Sequence, residues 1–133
     1  MTEIDLTTTG VIILTLVAVA WGGTFLLRVS TGGVPTNGLQ RTYFRAGHAH
    51  AGMLVTLGLV IRILVGQEGV PEWARFAATG VLFAAILMPL GFFLSVLGRD
   101  PQRPNAWRWS IWAGAAVLVA GLIGAGAGMI AAP

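Results

Sequence analysis

Four apolar stretches decide what this chain can fold into: residues 11–27, 46–65 (interrupted by Arg62), 76–98 and 109–130. Each is close to the ~20 residues that a helix rising ~1.5 Å per residue needs to cross ~30 Å of hydrocarbon. Inside a bilayer each backbone N–H and C=O must be paired within its own segment, which selects helices. An outer-membrane barrel would need short segments of alternating polarity, a pattern this sequence lacks. The expected fold class is therefore all-α: an integral membrane four-helix bundle of up-down topology. It forms a single transmembrane domain over residues 1–133, with helices at about 11–29, 42–65, 75–98 and 107–130.

Composition excludes the main soluble classes. Charged residues make up 10% of the chain and hydrophobic residues 56%, whereas roughly a quarter of a soluble domain is charged. There is no cysteine, so disulfides, Cys-ligated zinc, iron–sulfur clusters and thiol catalysis are absent. The net charge of +3 comes from arginines spread between apolar segments. That is not the basic patch of a nucleic-acid binder, so no nucleic-acid partner is expected.

The arginines also give an orientation. Arg28, Arg41 and Arg45 flank the first connection and Arg99, Arg103 and Arg108 the third, while the second has Arg62 and Arg75 together with Glu68 and Glu72. The positive-inside rule places the first and third connections in the cytoplasm and both termini outside, in a bacterial cytoplasmic (inner) membrane. Trp73, Trp107, Trp109 and Trp112 stand at segment starts, where aromatic anchors meet the headgroups, and Trp21 lies deeper and is expected to pack. Ala18-Val19-Ala20 has the form of a signal-peptidase site, but the acidic start with Glu3 and Asp5 lacks the positive region such a signal carries. Retention of the first segment is the expectation; cleavage would leave three helices.

The unusual run is Arg45-Ala46-Gly47-His48-Ala49-His50-Ala51-Gly52. Ionisable imidazoles among Ala and Gly in a membrane segment are costly enough to make function the first hypothesis. Residues two apart on a helix are separated by about 200°, so His48 and His50 point to nearly opposite sides and cannot chelate one metal together. Arg45, His48 and Gly52 share a face at i, i+3 and i+7. Arg45, His48, His50 and Gly52 are thus the candidate ligand or cofactor site, suited to a headgroup, a quinone or a haem propionate near the inner leaflet. Two other readings stay open: hydrated histidines within the first helical turns, and a proton relay. With no third histidine, a haem b would use His48 or His50 with Met53, Met88 or Met129, an open axial position, or a second subunit.

Elsewhere, Pro89 should kink the third helix, and the Gly124-x-x-x-Gly128 spacing favours close helix approach, within the chain or between copies. Arg62 is expected to extend on its stem toward the external surface. Thr15, Thr24, Thr56, Thr79 and Ser95 are expected to bond to their own helices. There is no Ser/His/Asp set, no phosphate loop and no acidic residue within a span, so no catalytic residues are assigned.

The segment from Tyr43 to Leu54, with His48-Ala49-His50, resembles the His-bearing helix starts of the haem-copper oxidase subunit I superfamily. That likeness implies a haem ligand at His48 or His50; the superfamily's copper-site histidines have no counterparts here, so it does not extend to oxygen reduction. As a whole the chain resembles short, Arg-using four-helix integral membrane proteins of unknown function of the actinobacterial type, which implies a membrane address.

The expected role is a non-catalytic accessory subunit, or a binder of a lipid-like ligand, with the bilayer and a homo-oligomer or larger membrane assembly as partners. The alternatives are a redox subunit holding haem or quinone, and a small transporter or proton pathway. The charge asymmetry makes a prediction for intact cells. A cysteine in the first or third connection should resist membrane-impermeant thiol reagents, and one in the second should react; the reverse pattern overturns the orientation.

Overall fold

A computed structural model describes residues 5–133; Glu3, part of the acidic start, lies outside them. The described residues form four helices and no strand: α1 (Leu6–Ser30), α2 (Gly38–Val65), α3 (Glu72–Leu94) and α4 (Arg108–Ile130). All four are long and apolar enough to cross a membrane. α1, α2 and α3 start earlier than the apolar pattern suggests, and polar side chains cap the first two. Asp5 accepts hydrogen bonds from the Thr7 and Thr8 amides and opens α1. Asn37 and Gln40 form a reciprocal capping box, with Gln40 N donating to Asn37 Oδ1 at 2.9 Å and Asn37 N donating to Gln40 Oε1 at 3.1 Å. Four orphan N–H groups at a helix start make such caps worth having.

The same two amides reach the loop between α3 and α4. Asn37 Nδ2 donates to Asp100 Oδ1 and to the Pro101 carbonyl, both at 2.8 Å. Gln40, 6% exposed, donates from Nε2 to the Val96 and Gly98 carbonyls at 3.1 Å each. Asn105 works from the other side, its backbone N–H donating to Ser95 O at 2.8 Å and its side chain to Leu94 O at 3.0 Å. These bonds absorb the carbonyls at the end of α3, which therefore stops at Leu94 rather than near residue 98. Gly98 follows at φ +119°, a turn a β-carbon would strain.

Contacts run in chain order, α1 on α2, α2 on α3 and α3 on α4, with a minor α2–α4 contact. The expected four-helix architecture is present, but its fourth side is open, because the α1 backbone approaches neither α3 nor α4. Only Val29 of α1 is buried. The α3–α4 contact is the closest. A β-carbon on Gly80 would stand 2.8 Å from the Val117 carbonyl, one on Gly91 2.7 Å from Ile111 N, and one on Gly128 2.0 Å from Ala74 Cβ. Gly124 meets Ala77 in the same way. The Gly124/Gly128 pair thus serves a contact inside the chain, where small residues let backbones close on each other.

Ser110 adds a cross-helix bond, donating from Oγ to Leu87 O at 2.7 Å. Pro89 is buried within an unbroken α3. Thr15, Thr24, Thr56, Thr79 and Ser95 bond to carbonyls of their own helices, as expected. Trp21 departs from expectation: it is 77% exposed rather than packed. Its neighbours Gly22 and Gly23 take the side of α1 that faces α2, which turns the indole outward.

Asn37 and Asn105 bond across the loops, so a cysteine that tests the third connection belongs at Gln102 and one that tests the second at Gln67, both exposed. Replacing Gln40 by Leu keeps bulk but leaves two carbonyls without their donor, which should lower unfolding free energy in mixed micelles by about 1–3 kcal/mol. Asn37→Ala should cost about 1 kcal/mol through the lost cap. Unchanged unfolding curves for both would show that the clamp does not hold the loops together.

Candidate functional site

The capping box that starts α2 at Gly38 also sets the depth of the histidines. His48 lies ten residues beyond Gly38, about 15 Å along a helix of about 42 Å. Both histidines thus stand near the middle of α2, deeper along the helix than the open reading that puts them in its first turns.

The two rings face different helices, as their angular separation requires. The nitrogen-bearing edge of His48 lies along α1. β-carbons built on Gly22 and Gly23 would stand 3.7 Å from Nδ1 and 3.7 Å from Nε2 respectively. One turn further along α2, Gly52 faces Val19, whose Cγ1 is 3.6 Å from where its β-carbon would be. The face predicted to hold a ligand thus turns toward α1, and His48 occupies a notch made by two glycines. Its ring is half-buried and makes no hydrogen bond among the described residues. Arg45, on the same face one turn toward the start of α2, is exposed and has no ion-pair or hydrogen-bond partner among the described residues.

His50 looks the other way, toward α3. Its Nδ1 lies 2.7 Å from the Ala46 carbonyl, and its ring lies against Phe92 with centroids 5.0 Å apart. A carbonyl can only accept, so Nδ1 carries the proton and, in the neutral ring, Nε2 keeps its lone pair. Gly47, just before His48, is buried against Phe92 and Phe93, leaving no room for a side chain. Phe44 connects both sides, edge-on to Phe25 of α1 and stacked on Phe93 of α3. Sequence reading named the histidines and missed Gly22, Gly23 and Phe92. The Gly22-Gly23 pair in the middle of an apolar segment signals a close approach by another helix, without telling a side chain from a backbone.

Among the described residues, the methionines do not complete a haem site with the histidines. Met88 packs under Gly114 of α4, Met129 lies against the cluster around Ile61 and Ala74, and Met53 shares α2 with the histidines. No group of three or more His, Asp or Glu side chains able to hold a metal ion occurs among the described residues.

Arg62 extends toward the start of α1, where its Nε donates to Thr9 Oγ1 at 3.4 Å. No family model matches the chain, and no curated protein or solved structure is significantly similar to it.

The Asp5 carboxyl is held below its ordinary value of 3.8, first by the Thr8 hydroxyl, then by the Thr8 and Thr7 amides, and also by the charge of Arg62. A depressed carboxylate pKa stabilises the fold above the unfolded value, and that contribution disappears as pH falls through the folded value. The Thr7 and Thr8 amide resonances should therefore shift as the solution is acidified below about pH 4, and Asp5→Asn should remove that response. An unaltered titration in Asp5→Asn would assign the effect to another group.

Proposed function

We propose that this chain is an up-and-down integral membrane protein that binds rather than catalyses, holding a lipid-like molecule with a hydrogen-bonding head at the α1–α2 seam. The observation that carries this is the mid-helix imidazole of His48, without a hydrogen-bond partner among the described residues, set against the glycine notch of α1. A buried or lipid-exposed polar group without a partner is costly, and a carbonyl or hydroxyl from a ligand removes that cost. Arg45, one turn away on the same face, adds a cation for an anionic head, while the glycines leave the ligand a path beside the backbone. The up-and-down arrangement is supported by the end-to-end order of contacts: Thr9 meets Arg62 and Phe25 meets Phe44. The open side of α1 suits an accessory subunit of a larger assembly.

A second reading is favoured by one observation at His50. Its Nδ1–H bond to Ala46 O presets Nε2 as a ligand, the tautomer that metal-binding histidines require. A haem or quinone would then be held at His50, against Phe92. A haem at His50 would have an open axial position or take its second ligand from another subunit.

Native mass spectrometry of the protein in mild detergent separates these readings. The wild type should carry a small apolar adduct, which His48→Ala and His48→Phe lose and His50→Ala retains. Retention in His48→Phe would mean the nitrogens are unused and would end the primary reading. Strong visible absorbance lost in His50→Ala alone would establish the second.

A further inference from the structure

A cleft of about 380 Å³ opens at the loop leading into α4, lined by Arg103, Pro104, Asn105, Ala106, Arg108 and Trp109. Three features describe it. First, the guanidiniums of Arg103 and Arg108 have no carboxylate or carbonyl partner among the described residues, although Arg75 at the opposite end of the molecule is bonded to the Val65 and Gln67 carbonyls. Second, the frame between them is rigid. Asn105 is fixed to Leu94 O and Ser95 O, and its Oδ1 accepts from Trp107 N at 2.9 Å. Third, the first amides of α4 are already used in this turn, by Asn105 O, Ala106 O and Trp107 O, so the helix end itself offers an anion little. What remains is a pair of forked cations beside the Trp109 indole. Arg108 Cζ lies 5.8 Å from that ring's centre, within cation–π range.

From this we infer that the cleft binds the phosphate of an anionic phospholipid headgroup, with Arg103 and Arg108 as its cationic walls. This rests on the membrane reading above, though not on a ligand at His48. Guanidinium forks match phosphate oxygens in pairs. The exposed Trp109 and Trp112, 64% and 67%, stand where aromatic residues meet the headgroup level, so acyl chains would run down the outer face of α4. Arg28, Arg41, Arg45 and Arg99 flank the connections held together at this end by the Asn37 and Gln40 bonds, and the charge rule puts this end at the anionic cytoplasmic leaflet.

The test titrates phosphatidylglycerol, and separately phosphatidylcholine, into detergent-solubilised full-length protein, with bound lipid counted by native mass spectrometry. Phosphatidylglycerol should bind roughly tenfold or more tightly than phosphatidylcholine. Arg103→Ala and Arg108→Ala should each weaken it roughly fivefold. Arg108→Lys should recover part of the loss, and Arg99→Ala should change little. Three results overturn the proposal: equal affinity for the two lipids, an equal loss in Arg99→Ala, or full displacement by millimolar inorganic phosphate, which would assign the site to a free anion. The adduct tested at His48 should survive both Arg103→Ala and Arg108→Ala, so failure of one reading is distinguishable from failure of the other.

Discussion

The Asn37–Gln40 pair closes a helix start and a distant loop with the same two side chains. Each amide uses its oxygen on the α2 cap and its nitrogen on the loop after α3. Several further features depend on this. The cap moves the start of α2 back to Gly38, which places the histidines near the middle of the helix. The donated bonds end α3 at Leu94 and hold the turn at Gly98. That turn, with Asn105, brings Arg103 and Arg108 into the lining of one cleft. A buried amide with one unsatisfied group would cost more than it contributes, so the six bonds depend on one another.

The four long apolar helices were legible in the sequence because the signal behind them is crude: a run of about twenty apolar residues marks such a helix almost regardless of detail. The opposite directions of His48 and His50 were legible too, since helix periodicity alone sets them. The helix starts were less so. Asn37 stands in a Gly- and Pro-rich run that reads as a turn, and only the spacing to Gln40 marks it as a cap. Missing that cap shortened α2 by a full turn and left the histidines apparently close to water.

The partner of each small residue was not legible at all. Gly124 and Gly128 carry a spacing that favours close approach, but which helix approaches is a tertiary fact; the answer is Ala77 and Ala74 of α3. Gly22 and Gly23 have the same chemistry and a different purpose, accommodating an imidazole instead of a backbone. The sequence had no means to separate the two uses, and Trp21 was misplaced for the same reason.

The α1–α2 seam joins the proposed ligand to the weakest part of the architecture. Helices in lipid gain nothing from moving apolar surface from one apolar medium to another; they associate through packing and polar contacts. α3 and α4 have close backbone packing over their length, whereas α1 has the Phe25–Phe44 edge contact, the Val19–Gly52 contact, the Arg62–Thr9 bond and the His48 notch. A molecule bonded to His48 in that notch would touch both helices at once. By linkage, whatever binds only when α1 is in place also holds α1 in place. On the proposed reading, the occupancy of the notch and the attachment of α1 are therefore one equilibrium, and the helix with the open flank is the one whose position a ligand can set.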